Sequence, residues 1–319
     1  MRKLISIITI IMFALSIISL NGCQSKSSTT TSASNGNKKI TIGASLLTQQ
    51  HPFYVQLKNA LEEEAKAENV DLIVSIANQD LNKQISDVED FITQKVDAII
   101  ISPVDSKGVA AAINKAKAAN IPVIAVDIPA TGAETVSFVG TDNYTGGKIA
   151  GEEMAKVLNG KGKVAIIDYP TVQSVIDRVN GFKEVIAKYP DIKIVAIQPG
   201  ITRAEALTTA QNIIQAHPDI DGIFGFGDDA ALAAVAAVKA AHKENQIKVI
   251  GFDGMPEARK AVQDEKCFVG VVTQYPDEMG KIAVQTAVKV IKGEKVDSKI
   301  PIKPGYFDKN GEHKDINIE

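Results

Sequence analysis

Short apolar runs alternate with longer amphipathic runs along the chain from residue 39 onwards. Short and nearly continuous apolar runs are typical of strands that are buried on both faces, and the amphipathic runs repeat with a helical period. A strand that is followed by a helix, many times over, indicates a parallel sheet with helices on both faces. The sequence therefore predicts an α/β fold with parallel sheets.

The predicted elements fall into two series. The first runs through a strand at 40–46, a helix at 52–69, a strand at 72–77, a helix at 81–94, a strand at 98–102, a helix at 106–120 and a strand at 122–126. The second runs through a strand at 135–139, a helix at 145–158, a strand at 163–167, a helix at 174–188, a strand at 193–197, a helix at 203–216, a strand at 222–224, a helix at 229–241 and a strand at 248–251. Because the series share this organisation, we predict two similar lobes.

One strand of each series ends in an aspartate. The runs are IPVIAVD at 121–127 and IKVIGFD at 247–253, so the acids are Asp127 and Asp253. Ligands bind at the carboxyl ends of the strands in open α/β folds, and a cleft between two lobes is a natural site. An ionised carboxylate can accept hydrogen bonds from two adjacent hydroxyls, which a sugar or polyol offers. For Asp253, the spacing equally allows the capping of a helix that begins near Pro256.

Aromatic residues follow the first predicted strand. Phe53 and Tyr54 lie at the same sheet edge, where their rings could stack on the apolar face of a sugar ring. A hydrophobic staple at the helix entry is the alternative. His51 precedes them, which is typical of a surface or capping residue. No metal-ligand spacing surrounds it, so we predict no metal site.

The motifs of several other functions are absent or weak. The segment 225–230 matches a dinucleotide fingerprint, but two acids stand where a pyrophosphate would need positive surroundings. The sequence contains no G-x-S-x-G, H-E-x-x-H or Walker motif. A formal net charge of −3 without long runs of one sign makes nucleic acid an unsuitable partner. We therefore predict no cofactor and no catalysis.

The amino terminus carries the pattern of a secretion signal. Arg2 and Lys3 precede an apolar run at 4–20, and Cys23 follows a glycine. This arrangement resembles the lipobox of bacterial lipoproteins, which implies a signal peptide at 1–22 and a lipid on Cys23. An uncleaved membrane anchor is the alternative.

The residues after the predicted cleavage site have a different composition. Residues 24–37 are small and polar, so we predict a flexible tether over 23–38. The second of the two cysteines, Cys267, lies in an apolar run and is interpreted as a small buried hydrophobe.

Several longer stretches carry a resemblance to a known family. They are HPFYV at 51–55, the run at 121–127, TDNYTGGK at 141–148, RVNGF at 178–182, AHPD at 216–219, GFDG at 251–254 and TQYPD at 273–277. From residue 39 to about residue 304 the chain resembles the ribose-binding protein and its relatives among the bacterial periplasmic sugar-binding proteins. This resemblance implies the type I periplasmic binding protein fold, in which two Rossmann-like lobes with parallel sheets are joined by a three-strand hinge.

The resemblance also implies boundaries and binding residues. The N-terminal lobe would comprise 39–141 and 275–303, and the C-terminal lobe 142–274 and 304–319. Asn143 and Gln274 would help to couple the hinge to the ligand. The residues implied to bind the ligand are His51, Phe53, Tyr54, Asp127, Asn143, Arg178, Phe226, Asp253 and Gln274.

Four positions depart from the ribose-binding pattern. His51 and Gly227 each stand where an asparagine is expected, Ile128 where an arginine is expected, and Ile201 where an aromatic residue is expected. Sugar hydroxyls that lose such partners would stay unpaired, so we predict that ribose is not the best ligand. A substituted, deoxy or differently shaped sugar or polyol would fit better, with Phe226 filling part of the space.

The resemblance implies an extracytoplasmic, lipid-anchored and monomeric protein that delivers a sugar to a permease of the ATP-binding-cassette (ABC) type. A sensor that docks a chemoreceptor or kinase remains an alternative. The effector core of a LacI-type repressor would need a helix-turn-helix where the secretion signal stands. An enzyme would need a nucleophile–base pair or a metal cluster, which the sequence does not offer.

Overall fold

The computed structural model describes residues 39–314 and residue 316, so the predicted signal peptide, Cys23 and the tether lie outside the described residues. The described strands form two separate sheets. Nearly all neighbouring strands are parallel, and helices cover both faces of each sheet. The predicted α/β class with two mostly parallel sheets is confirmed.

The first sheet is parallel throughout. Its strand order is β11-β5-β4-β3-β1-β2. The strands are β1 (Thr41–Leu46), β2 (Asp71–Ile76), β3 (Ala98–Ile101), β4 (Val123–Val126), β5 (Ser137–Thr141) and β11 (Lys299–Ile302).

The second sheet is parallel except at one edge, where β12 runs antiparallel to β10 and β13. Its strand order is β13-β12-β10-β9-β8-β6-β7. The strands are β6 (Lys161–Asp168), β7 (Asp191–Pro199), β8 (Gly222–Gly225), β9 (Lys248–Asp253), β10 (Phe268–Thr273), β12 (Gly305–Asp308) and β13 (Gly311–His313).

The helices pack in groups against the faces of the two sheets. The helices of the first sheet are α1 (Pro52–Ala67) and α9 (Pro276–Ile291) on one face, and α2 (Leu81–Gln94) and α3 (Ala110–Ala118) on the other. Those of the second sheet are α4 (Asn143–Val157) and α5 (Gln173–Ile186) on one face, and α6 (Arg203–Ala216), α7 (Asp228–Ala240) and α8 (Pro256–Asp264) on the other. None of these described helices is long and apolar enough to cross a membrane.

The chain passes between the two sheets at three places. It leaves the first sheet after β5, returns after β10, and leaves again after β11 to form β12. Asp127 directly follows β4 and Asp253 is the last residue of β9, and both strands lie inside their sheets with a neighbour on each side. The carboxyl ends of these inner strands therefore carry Asp127 and Asp253.

Several predicted elements differ from the structure by a few residues at their ends, and two of these differences have an identifiable cause. The helix predicted from residue 106 begins only at Ala110, because the Asp105 carboxylate accepts hydrogen bonds from the Lys107 and Gly108 amides and holds a turn there. The strand predicted at 135–139 lies at Ser137–Thr141, and its assignment to the second series is wrong, since it joins the first sheet between β4 and β11. Local sequence patterns cannot predict pairing with a strand so distant in the sequence.

Two glycines let helices α4 and α5 approach closely. A Cβ atom at Gly147 would lie 2.0 Å from the Arg178 carbonyl oxygen, and one at Gly181 would lie 2.1 Å from the Tyr144 carbonyl oxygen. No side chain fits at such distances. The close approach brings Arg178 on α5 beside Asn143 at the start of α4.

Candidate functional site

A cavity of about 90 Å³ lies between the two sheets, where β4 and β9 end. Residues from both lobes line it, including Thr48 and Gln79 from one side and Ser174 from the other. The predicted binding residues that line the cavity are His51, Phe53, Tyr54, Asp127, Arg178, Phe226, Asp253 and Gln274. Asn143 is not among the lining residues.

Asp253 is held by partners from several elements. Its Oδ1 accepts from Gln274 Nε2 at 2.6 Å and from Arg178 Nη1 at 3.3 Å. Its Oδ2 accepts from the Asp228 amide at 3.2 Å, in the first turn of α7. The N-terminus of a helix stabilises a negative charge, so this carboxylate is well compensated.

The capping alternative for Asp253 at the next helix is wrong. Helix α8 begins at Pro256 with Met255 as its N-cap residue, and no side chain caps it. Asp253 instead has a φ of 98°, a left-handed value that is unusual for a residue with a side chain. That backbone conformation accompanies a carboxylate that contacts α7 and the cavity rather than α8.

Arg178 is buried and is held by partners from several elements. Its Nε donates to Asn143 Oδ1 at 2.8 Å, and its Nη1 donates to the Phe226 carbonyl oxygen at 2.7 Å. The guanidinium also lies 3.8 Å above the Phe252 ring. Asn143 thus lies behind Arg178, and its Nδ2 donates to the Thr141 carbonyl oxygen at 3.0 Å. Its position is that of a group that orients the arginine.

Asp127 has fewer partners than Asp253. Its Oδ2 accepts from the Tyr54 hydroxyl at 2.8 Å and from the Ser102 hydroxyl at 3.4 Å. Its φ of 65° is also left-handed. Burial raises the pKa of Asp127 to about 6, although Arg178 and the two hydroxyls act in the opposite direction.

His51 both caps a helix and lines the cavity. It is the N-cap residue of α1, and its Nδ1 accepts from the Phe53 amide at 3.2 Å. In the neutral ring the proton is then on Nε2, which lies 3.7 Å from Asp253 Oδ2. His51 therefore offers a donor to the cavity.

The fold brings together a possible metal-ligand set that the sequence spacing did not predict. In the described residues, one potential ligand atom from each of His51, Asp228 and Asp253 lies within 4.8 Å of the others. However, the proton on His51 Nε2 blocks the lone pair that a metal needs. The Asp228 oxygens accept from the Gly254 and Met255 amides, at 3.3 and 2.7 Å. These bonds, with Arg178 beside Asp253, make the group unsuited to a metal ion.

The sequence reasoning missed part of the cavity wall. Tyr169 and Val172 line the cavity, and the Tyr169 ring packs edge-on against Phe226 with centroids 5.8 Å apart. Tyr169 directly follows β6, so the rule that singled out Asp127 and Asp253 could have found it. Three of the positions that depart from the ribose-binding pattern also line the cavity, namely Ile128, Ile201 and Gly227.

Two further contacts join segments of different sheets. The Ser106 amide donates to the Thr171 carbonyl oxygen at 3.2 Å, and the Gln173 amide donates to Ser106 Oγ at 2.9 Å. Thr141 Oγ1, at the end of β5, donates to Gln274 Oε1 at 2.7 Å. Because Gln274 also bonds Asp253, the crossing segments are linked directly to the cavity.

The fold and the cavity define a class of protein, a two-lobed α/β binding protein with its site between the lobes. The chain belongs to the periplasmic binding protein family, since the family model described as a periplasmic binding protein domain matches residues 42–295.

Individual relatives agree with this assignment. The ribose import binding protein of Bacillus subtilis is 36% identical over 304 residues, which cover 94% of this chain and 97% of that protein. An ABC transporter solute-binding protein from Actinobacillus succinogenes, solved with bound D-allose, is 34% identical with a TM-score of 0.80 and covers 85% of this chain and 98% of its own. One from Mycobacterium smegmatis with bound glycerol is 37% identical with a TM-score of 0.80 and covers 85% and 95%.

Proposed function

We propose that this protein captures a sugar or sugar-like polyol between its two lobes and delivers it to an ABC permease. The observation that carries the proposal is the cavity, which is lined by an acid from each sheet, Asp127 and Asp253. Arg178 and Gln274 line the same cavity. Carboxylate, guanidinium and amide groups together accept from and donate to hydroxyls, and Tyr54 adds a ring face. The relatives that are named for ribose import or solved with D-allose or glycerol support the same ligand class.

The proposed mechanism is binding and hinge closure without chemistry. The lobes are 39–141 with 275–303, and 142–274 with 304–319, a division that follows the membership of the two sheets. A ligand that touches Asp127 and Asp253 at once favours the closed form, because only that form makes both contacts. The permease would then recognise the closed form.

The proposed location is the outer side of the cytoplasmic membrane or the periplasm. The N-terminal sequence supports a lipid on Cys23 and a polar tether, and the family is one of periplasmic proteins. The protein would act as a monomer and not as an enzyme, in line with relatives that are named as binding proteins.

The proposed ligand differs from ribose. Ile128, Ile201 and Gly227 line the cavity without offering a side-chain hydrogen bond. A ribose hydroxyl that faces such a wall would stay unpaired, at a cost of about 1–3 kcal/mol for each buried group.

A thermal-shift screen of the purified chain against pentoses, hexoses, deoxy sugars and polyols tests the proposal. A ligand at about 100 times its dissociation constant adds about 2.7 kcal/mol of stability and raises the melting temperature by several degrees. Asp253→Asn should weaken binding of the hit about 30-fold or more, since it loses a charged acceptor worth about 2 kcal/mol. Asp90→Asn, on the exposed surface of α2, is the matched control. No shift with any sugar or polyol would refute the proposal.

A further inference from the structure

The wall of the cavity carries more buried negative charge than buried positive charge. Asp127, Asp228 and Asp253 are 3%, 2% and 7% exposed, and Arg178 is the buried cation among the lining residues, at 5%. Asp229 also lines the cavity and pairs with Arg203 at 2.7 Å, but Arg203 is shared with Glu257 and so adds no surplus positive charge.

The charge of Arg178 is committed to one side of the cavity. Its hydrogen bonds go to Asp253, to Asn143 and to the Phe226 carbonyl oxygen. On the other side, the side chains that donate to Asp127 are the hydroxyls of Tyr54 and Ser102, which are neutral. The Asp127 carboxylate is therefore buried with hydrogen bonds from neutral groups; Arg178 lowers its pKa, but the hydrogen bonds of that guanidinium go to other residues.

We infer that the cavity selects a sugar-like ligand that carries a positive charge, an amino sugar or an iminosugar, whose ammonium group pairs with Asp127. This inference rests on the proposed function and narrows its ligand class. A buried charge without a partner is unfavourable, and a ligand ammonium would supply both the partner and a charge-assisted hydrogen bond. The hydroxyls of the same ligand would form hydrogen bonds with Asp253, Arg178 and Gln274.

The protonation states support a net negative cavity at neutral pH. Burial raises the pKa of Asp127 only to about 6, so the group is mostly ionised at pH 7. Burial and the neighbouring Asp253 raise the pKa of Asp228 well above its usual range. Even with Asp228 left out, two buried acidic side chains, Asp127 and Asp253, line the cavity with one buried guanidinium, that of Arg178.

The inference also sets a direction for the pH dependence. The groups that face Asp127 are Tyr54 from α1, Ser102 after β3, Arg178 from α5 and Asp253 from β9. A cation binds the ionised form of Asp127, so its affinity should fall as the pH falls below about 6, approaching tenfold per pH unit. The affinity for a neutral sugar should fall less over the same pH range.

Titration calorimetry with matched pairs of ligands tests the inference. The pairs are D-glucose with deoxynojirimycin, D-ribose with the imino analogue that has a ring nitrogen in place of the ring oxygen, and N-acetyl-D-glucosamine with D-glucosamine. At about pH 6.5, where the amine of the ligand and Asp127 are both mostly charged, the cationic member of at least one pair should bind about tenfold tighter or more, and its advantage should shrink at about pH 5. Asp127→Asn should abolish the advantage, and Asp90→Asn, which removes the same charge from the exposed surface of α2, should keep it.

The outcomes separate this inference from the proposed function. If neutral members bind as tightly as their cationic partners or tighter, the inference is overturned and the proposed function stands. If no member of any pair and no other sugar or polyol binds, both are overturned. Should Asp127→Asn fail to fold, the pH dependence of the ratio in the unaltered protein decides, since a ratio that does not change between the two pH values contradicts pairing with Asp127.

Discussion

Asp127 and Asp253 end equivalent inner strands, face one cavity and share a left-handed backbone, yet their surroundings differ. Asp253 accepts from a guanidinium, an amide side chain and the first turn of α7. Asp127 accepts from two hydroxyls. The same local motif therefore produces an acid with a hydrogen-bonded guanidinium in one lobe, the compensated side, and an acid whose hydrogen bonds come from neutral hydroxyls in the other, the uncompensated side.

The difference shows that the strand end sets only the place of a carboxylate. Its charge balance depends on a residue far away in sequence, Arg178, which lies on α5 and is oriented by Asn143 at the start of α4. An acid that is hydrogen-bonded to a buried arginine is costly to leave without that partner, whereas an acid that is bonded only to hydroxyls is better placed to pair with a charge on a ligand.

The largest expected effect is on the compensated side. Arg178→Met should lower the free energy of unfolding by about 3–5 kcal/mol, because it leaves Asp253 buried without its counter-charge. Arg203→Met is the matched control, since that side chain is 46% exposed and its ion pairs with Asp229 and Glu257 should be worth less than about 1 kcal/mol. Urea unfolding of both variants measures the difference. If both variants lost the same free energy of unfolding, the buried and the exposed ion pairs would not differ in the way proposed.

The next effect concerns the uncompensated side and its pH dependence. The pKa of Asp127 rises from an ordinary 3.8 to about 6 on folding, so the folded protein binds the proton more tightly than the unfolded chain. Between these values the contribution of Asp127 to stability increases as the pH falls, by about 3 kcal/mol in total.

Asp127→Asn should remove this contribution. Unfolding of both ligand-free proteins at a series of pH values measures their free energies of unfolding. In the difference between the two free energies, the contributions of the other carboxyl groups cancel. We expect the difference to change between about pH 4 and about pH 6, with the unaltered protein gaining relative to the variant as the pH falls. A difference that stays constant would show that Asp127 is compensated after all.

The smallest effect concerns one of the contacts between the two lobes, the hydrogen bond from the Gln173 amide to Ser106 Oγ. Ser106→Ala removes the oxygen that accepts from the Gln173 amide. The closed form should thereby lose about 1 kcal/mol of stability relative to the open form. Ligand affinity should fall about fivefold, and small-angle scattering should show a larger radius of gyration without ligand. Ser86→Ala, on the exposed surface of α2, should change neither. A Ser106→Ala protein with unchanged affinity and radius would mean that this contact does not contribute to closure.

Local patterns predicted the elements best where their determinants are local. Helices α2 and α6 lie at the predicted bounds, 81–94 and 203–216. Asp80 caps the first, and Thr202 and Glu205 form a capping box at the second. The predictions failed where a side chain acts over a few residues in an unforeseen way, as Asp105 does before α3, or where a distant strand decides the pairing, as β11 does for β5.

The sequence by itself determined the α/β class, the two series of elements, and the positions of Asp127 and Asp253 at strand ends, because apolar periodicity and strand direction are properties of neighbouring residues. Only the tertiary structure decided that the hydrogen bond of Arg178 goes to Asp253 and not to Asp127, that Asn143 lies behind the arginine, and that Tyr169 completes the wall. These contacts join residues that are dozens of positions apart, and their energies depend on burial, which the folded arrangement alone defines.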